Sequence, residues 1–389
     1  MTQDKRRNPV LASLFVLLVA ALFSLPFLRL APNRLVSGQP VYFSAVAHHL
    51  VWLLLVFLCM AVLVALIKPS RLWLGSVLAM SALLIPGLLW LAARYATLTI
   101  QDAASIARTS LGSAFWLGIV LLAFMTSTAL QQLRATALQH AAVGATVLLA
   151  LAALLASGWC DDLSLIKEYS NRADDFVQVL ARHLQIVLLS LAFTVCIGLP
   201  LGWLACTHAK TGRALLPVLN VIQTIPSIAL FGLLMAPLSL LAASLPALGR
   251  AGISGVGLAP AVIALTLYGL LPVVRSVLAG LQQVSAPLRS AATALGLTPY
   301  QVLISIELPL ALPVLLGGIR TAAVACVGLA AVTALIGAGG LGSILFEGLF
   351  SNAQDLVLLG VLPIIALGML VDALFKMLIG FFRTRAQPC

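Results

Sequence analysis

Charge is what this sequence has least of. Charged residues make up 8% of the 389, against 62% hydrophobic residues. A water-facing globule of this length cannot cover its surface with so few charges, so a lipid-facing surface is implied. The six cysteines (Cys59, Cys160, Cys196, Cys206, Cys326 and Cys389) form no C-x-x-C pair, and four of them lie in apolar runs. They point to neither a disulfide framework nor a metal site. There is no G-x-x-x-x-G-K-[ST] sequence. Lys210 is the only Lys followed by Ser or Thr, and Ala209 precedes it where Gly is needed, so the chain itself is not expected to bind and hydrolyse ATP. H-E-x-x-H is absent, and no Ser/His/Asp grouping can be located. No catalytic residue, cofactor or metal is assigned, and the chain is not read as an enzyme. The net charge of +11 comes from basic residues placed singly between apolar runs. They form no patch of the kind nucleic acid requires.

What is present is length of apolar run. A helix needs roughly 20 apolar residues to cross the hydrocarbon core. Val10 to Leu28, Val41 to Ile67, Leu111 to Leu130 and Ala135 to Ser157 each carry no Asp, Glu, Lys or Arg. Ten spans follow, over about 10–28, 46–67, 72–92, 111–130, 136–157, 184–206, 214–236, 258–279, 313–336 and 356–380. Runs this long exceed a barrel strand and do not alternate, so helices, which satisfy their own backbone hydrogen bonds, are expected rather than strands. The first run follows Lys5, Arg6 and Arg7 but is longer than a signal-peptide core and has no small-x-small site after it, so it is read as a retained anchor. An even number of spans puts both termini on one side. Taking that side as the cytoplasm places fourteen Lys and Arg inside and eight outside, the direction of the positive-inside bias.

The polar stretch 159–182, with Asp161, Asp162, Lys167, Glu168, Arg172, Asp174 and Asp175, reads as an extracytoplasmic loop. It separates an N-terminal membrane block, 1–158, from a C-terminal one, 183–389. Within the latter, hydropathy falls over 280–310. Ser290 to Leu295 reads as a short helix that Gly296 stops, since Gly accepts the left-handed conformation. Thr298 then starts a second helix, with Pro299 at its first position and Gln301 completing a capping box. Such an element between two spans has little to bury alone and is suited to docking on a partner.

Other motifs carry milder readings. The run Gly337 to Gly342, with Gly337, Gly339 and Gly342 in register and Gly340 between them, matches G-x-G-x-x-G, but it follows a span rather than a strand, so a tight turn or close helix packing is expected, not a dinucleotide. His48 and His49 face different directions, and His183 and His208 flank one span at opposite ends. Asp372 and Lys376 share a helix face as a local pair, with Lys376 snorkelling to the surface. Arg320 either snorkels or pairs with Glu307. Trp203 and Tyr268 read as packing or interface anchors.

Ser290, Ala291, Ala292 and Gly296, then Ile306, Leu308 and Pro309, resemble the cytoplasmic loop signature of bacterial ABC importer permeases, with Ser290 where that signature begins with Glu. Gln223, Thr224, Pro226 and Ser227, the segment Leu265 to Pro272 with Tyr268, Glu307 to Pro313, Gly318 to Arg320 and Ala334 to Gly342 narrow the likeness. Together they are similar to the glycine betaine/choline/carnitine importer permeases, and the extra N-terminal block resembles osmoprotectant permeases of the YehY type. The likeness runs from about Phe176 to the C-terminus. It implies an all-α integral membrane protein whose last five spans form a MetI-like permease core in the bacterial inner membrane, with 280–310 as its coupling loop. It implies a separate ATP-binding subunit docking at Ser290 to Gly296 through Ala291 and Ala292. It also implies a periplasmic substrate-binding protein and a second permease copy or paralogue. The glycines, Gln223, Thr224, Pro226, Ser227 and Tyr268 are carried over as pore or packing residues. An importer for another small solute, such as an amino acid, remains open. From a different class, an ATP-independent secondary transporter would favour several intramembrane carboxylates, and only Asp372 lies clearly inside a span.

Overall fold

The computed structural model describes residues 9–33, 36, 38–46, 70–100, 107–250 and 252–386. The chain forms two compact units, Met1–Asn171 and Arg172–Cys389. Eight helices among the described residues are long and apolar enough to cross a membrane. The expected span 46–67 falls almost entirely outside the described residues.

The first unit runs α1 (Pro9–Ser24), β1 (Pro26–Ala31), β2 (Gln39–Tyr42), α2 (Phe43–Val46), α3 (Arg71–Ile100), β3 (Arg108–Leu111), α4 (Ser113–Gln132), α5 (Ala137–Ala156) and α6 (Ser164–Ser170). The sheet, in order β2-β1-β3, has no counterpart in the hydropathy reading. Its strands are only four to six residues long, too short to register beside runs of 20, and both pairings are antiparallel. The expected span 10–28 therefore ends early: α1 has 16 residues, and Pro26, which cannot continue a helical ladder, starts β1. Phe27 is fully buried and meets Phe43 and Phe115 edge-on, with ring centroids 5.1 and 6.0 Å away. Gly112 closes the seam. Its N–H donates to the Phe27 carbonyl at 2.8 Å, and a Cβ there would lie 2.8 Å from the Phe27 carbonyl carbon. Ser81 of α3 and Thr126 of α4 share a hydrogen bond of 2.9 Å. Cys160 is buried and free, and burial, with Asp161 beside it, pushes its thiol up.

The polar stretch 159–182 is mostly helix. It forms α6 and the first turns of α7 (Ala173–Thr207), which begins eleven residues before its expected start. Asp174 and Asp175 sit in the first turn of α7, where the positive end of the helix dipole favours them. A helix that projects beyond the hydrocarbon has polar end turns, which hydropathy reads as a loop.

The second unit continues with α8 (Ala209–Thr224), α9 (Ser227–Ser244), α10 (Pro246–Arg250), α11 (Leu258–Gln282), α12 (Ala286–Ala294), α13 (Pro299–Val302), a π turn over Leu303–Glu307, α14 (Leu308–Leu329), a 3₁₀ turn over Val332–Ile336, α15 (Leu341–Phe350) and α16 (Gln354–Ala386). Helix α11 is its axis. Gly198 and Gly202 of α7 face Val273 and Val277 of α11, and a Cβ on Gly202 would lie 2.6 Å from the Val277 Cβ. Gly269 of α11 faces Thr194 equally closely. On its other side, Gly280 meets Leu315 and Ala311 of α14. Small residues at these crossings let backbones approach, the main source of helix association where lipid replaces water.

Two expected spans are corrected. The run 214–236 is not one helix: α8 ends at Thr224, Ile225 and Pro226 are extended, and α9 begins at Ser227. The run 313–336 belongs to a rod that starts earlier, at Pro299, and ends at Leu329. The four glycines after it form a turn. Gly337, Gly339 and Gly340 have φ of +78°, +82° and +82°, and Gly340 starts α15, a ten-residue apolar helix. Gly342 lies against the Ala331 backbone, where a Cβ would be 2.7 Å from the carbonyl carbon. Gly342→Ala is expected to destabilise the detergent-solubilised protein by about 1–3 kcal/mol through overpacking. Gly317→Ala, at a helical position with open space around it, is expected to be neutral or stabilising by up to about 1 kcal/mol. Thermal unfolding of the two variants checks the pair.

Candidate functional site: an interhelical loop and a helix break

The segment between α11 and α14 is built from local capping rules. Helix α12 ends in a Schellman motif: Leu297 N–H donates to the Ala292 carbonyl at 3.2 Å and Gly296 N–H to the Thr293 carbonyl at 2.9 Å, with Gly296 at φ +84°. Helix α13 then opens on a complete capping box. Gln301 N–H donates to Thr298 Oγ1 at 3.4 Å, and Thr298 N–H donates to Gln301 Oε1 at 2.8 Å, with Pro299 in the first turn. The turn between the two short helices is thus fixed by four local hydrogen bonds.

Arg289 ties this element to both neighbours. Its Nη2 donates to the Leu281 carbonyl in the last turn of α11 at 2.7 Å, and its Nε lies 2.6 Å from Glu307 Oε1 ahead of α14. Nothing in the signature pattern announces this residue; it was missed because its partners are eight and eighteen positions away. The pairing also corrects the expectation for Arg320, which does not reach Glu307. Ala292 is 3% exposed, packed on the inner side of the loop, while Ser290 and Ala291 are exposed. Ala292 is therefore not presented at the surface of this chain, whereas its neighbours Ser290 and Ala291 are. Leu295 and Tyr300 stand out, 83% and 71% exposed; Leu288, Ile304 and Leu308 are exposed to a lesser degree. Ile306 is half-buried and Pro309 is exposed in the first turn of α14.

The second feature is the break between α8 and α9. Pro226 has no N–H to offer, and the chain there is pinned to the middle of α11 from both sides. Gln223 Nε2 donates to the Tyr268 carbonyl at 2.8 Å, and Tyr268 Oη donates to the Ile225 carbonyl. One turn earlier, Arg275 Nη2 donates to Asn220 Oδ1 at 2.8 Å. Thr224 Oγ1 bonds locally to the Val221 carbonyl and Ser227 begins α9. Gln223 and Tyr268, apart in sequence, are brought together by the fold: Gln223 bonds the Tyr268 carbonyl while the Tyr268 hydroxyl bonds Ile225 two residues on.

The glycine turn is the third feature. Gly257 N–H, just ahead of α11, donates to the Ile336 carbonyl at 2.7 Å. Arg182 Nε donates to the Ala338 carbonyl at 2.9 Å, and the His183 ring contacts the Val327 carbonyl at 3.2 Å. Gly340 leaves only enough room for the His183 backbone and ring. Arg172, just ahead of α7, holds Glu347 of α15 through two guanidinium nitrogens. The three features therefore attach to one helix, at its beginning, middle and end. At 1.5 Å per residue they are roughly 15–20 Å apart. They are not one pocket.

Asp372 of α16 pairs with Lys376 at 2.8 Å, as its spacing implies, and also with Arg320 of α14 at 2.5 Å. The carboxylate is thus held between two cations, an arrangement unlike an ion-carrying site, which must release its charge.

Comparison with known proteins accounts for both units. Residues 6–166 match the family described as ABC transporter permease YehY, N-terminal domain, and residues 198–383 match the binding-protein-dependent transport system inner membrane component family. The osmoprotectant import permease protein OsmW of Salmonella typhimurium is 39% identical over 51% of this chain and 86% of its own length. The chain belongs to the permease family of binding-protein-dependent ABC importers. The glycine betaine/carnitine/choline transport system permease protein OpuCD of Bacillus subtilis is 31% identical over 52% of the chain and 82% of its own. An inward-facing structure of the MetNI methionine ABC transporter is 26% identical, covering 52% of the chain and 93% of its own at a TM-score of 0.44. The chain is accordingly a multi-pass transport subunit of the inner membrane, and its family works with an ATP-binding subunit and a substrate-binding protein.

Breaking the interhelical charge pair tests the second unit. Arg320→Ala and Asp372→Ala are each expected to lower thermal stability, and the double variant less than their sum, with a coupling of about 0.5–3 kcal/mol. Additive losses would mean that the pair contributes nothing.

Proposed function

We propose that this permease carries a small quaternary-ammonium osmoprotectant such as glycine betaine into the bacterial cell, driven by an ATP-binding subunit that docks on the α12–α13 loop. The observation that carries the docking reading is the exposed apolar tip, Leu295 and Tyr300, on an element stiffened by the Schellman motif, the capping box and Arg289. Exposed apolar side chains such as these on a rigid projection suit a groove on another protein. The substrate class rests on the relatives, whose names specify osmoprotectants, glycine betaine, carnitine and choline.

In this reading the loop and both termini face the cytoplasm, the outer ends receive solute from a binding protein, and a second copy or paralogue completes the pathway. Closure of the ATPase on nucleotide pushes the loop, and Arg289 passes the displacement to the ends of α11 and α14. The Gln223–Tyr268 contact then carries it to the α8–α9 break. Gly296 sets the angle of the lever, and the glycine turn keeps the far end of α11 packed. Ser290, lacking the usual carboxylate, leaves Arg289 as the loop's charged anchor.

Leu295→Asp is expected to lower ATP-dependent uptake of labelled glycine betaine at least about tenfold, the weight of one buried apolar anchor exchanged for a charge. The same variant is expected to lose co-elution of the ATP-binding subunit at unchanged membrane content. Wild-type uptake with undiminished co-elution would remove the loop from the coupling interface.

A further inference from the structure

Arg275 lies seven residues before the end of α11, roughly 10 Å along the helix from Gln282, and its side chain is exposed. Side chains on a helix lean toward its N-terminus, so this guanidinium leans away from the nearer end, the direction opposite to snorkelling. It is held there by Asn220, eleven residues into α8. No ion pair engages Arg275 among the described residues. Arg172, Arg289, Arg320 and Lys376 of the same unit each have a carboxylate partner. Arg182 is held instead by the Ala338 carbonyl, and Lys210, Arg213 and Arg250, also without an ion pair among the described residues, lie at the start of α8 or the end of α10; Arg275 is placed inside a long apolar helix. A guanidinium has five N–H donors, and the Asn220 oxygen takes one. Beside it, one turn on along α8, is the exposed Gln223, fixed to α11 through Tyr268. Underneath lies the apolar layer of Leu219, Leu270, Leu271 and Val274. A polar strip with a bare cation is expensive against acyl chains. It is suited to a water-filled path with an oxyanion passing along it.

We propose that Arg275, steadied by Asn220, is a recognition point for the carboxylate of a zwitterionic solute on the translocation path. The inference rests on the importer reading above and names the part of the substrate that this residue meets. A planar guanidinium pairs bidentately with a carboxylate. Glycine betaine offers a carboxylate and choline does not, so the residue distinguishes the two within one substrate class. A lipid phosphate presents the same oxyanion chemistry; the inward lean and the Asn220 tether favour the solute.

The test uses the permease reconstituted with its ATP-binding subunit and binding protein, in vesicles with and without phosphatidylglycerol, and reads uptake of labelled glycine betaine at equal membrane content. Arg275→Gln is expected to lower the maximal rate by roughly tenfold, the weight of one charge-assisted pair. The half-saturating concentration, set by capture on the binding protein, stays where it is. Arg275→Lys keeps the charge and recovers part of the rate, and Asn220→Ala, which only loosens the guanidinium, loses a smaller factor. An Arg275→Gln rate within about twofold of wild type, or Arg275→Lys no better than Arg275→Gln, overturns the assignment. So does a loss reproduced in wild type simply by omitting phosphatidylglycerol, which would give the site to lipid. Absence of uptake by wild type would instead defeat the substrate reading itself, and this inference with it.

Discussion

Close packing around α11 is the constraint on which the second unit depends. Lipid offers no hydrophobic drive between helices, so contact area and backbone approach must supply the association. The glycines at 198, 202 and 269 supply it toward α7, and Gly280 supplies it toward α14. Because these crossings are tight, displacement of one helix must either be shared by its neighbours or break their packing. That property suits a permease whose motor sits on another polypeptide: a push at one end of α11 has few places to dissipate before it reaches the other.

The polar groups of this unit follow the same economy of motion. Arg289 bridges the ends of two helices, the bonds from Gln223 to Tyr268 and from Tyr268 to Ile225 fix the α8–α9 break, and Arg172 with Glu347 fastens α15 to the start of α7. Each contact joins elements distant in sequence, and most use a backbone carbonyl or a paired charge, so few buried groups are left wanting. Asp372 is held between two cations and cannot shuttle charge readily, which sets this chain apart from transporters driven by ion binding. Arg275, an exposed cation inside a long apolar helix with Asn220 as its tether and no ion pair among the described residues, departs from this pattern, and it is this placement that reads as facing solute.

Local grammar was legible in the sequence. Gly296, Thr298, Pro299 and Gln301 form the stop and start expected of them, because capping is decided within four residues. The long apolar rods were equally plain. What hydropathy could not show was an interruption inside an apolar run: Ile225 and Pro226 are themselves apolar, and a proline alone marks no break here, since Pro200, Pro217 and Pro272 lie inside helices. The small sheet around Phe27 escaped because four-residue strands have no period to detect. The partners of Arg289 and Arg320 escaped because they are set by tertiary crossings rather than spacing. The burial of Ala292 and the outward turn of Leu295 likewise depend on which face of α12 lies against the rods. Membership of the importer permease family, in contrast, could be read from the order of several short segments.

The central claim is that the α12–α13 loop moves as one body with α11. Distance measurement between spin labels at positions 294 and 279, in the assembled importer with and without ATP, tests it most directly. The account predicts a separation that stays constant to within about 2 Å while transport proceeds, less than half the pitch of a helical turn. A change of about 5 Å or more, a full turn, would show the loop swinging independently of α11 and would contradict the account.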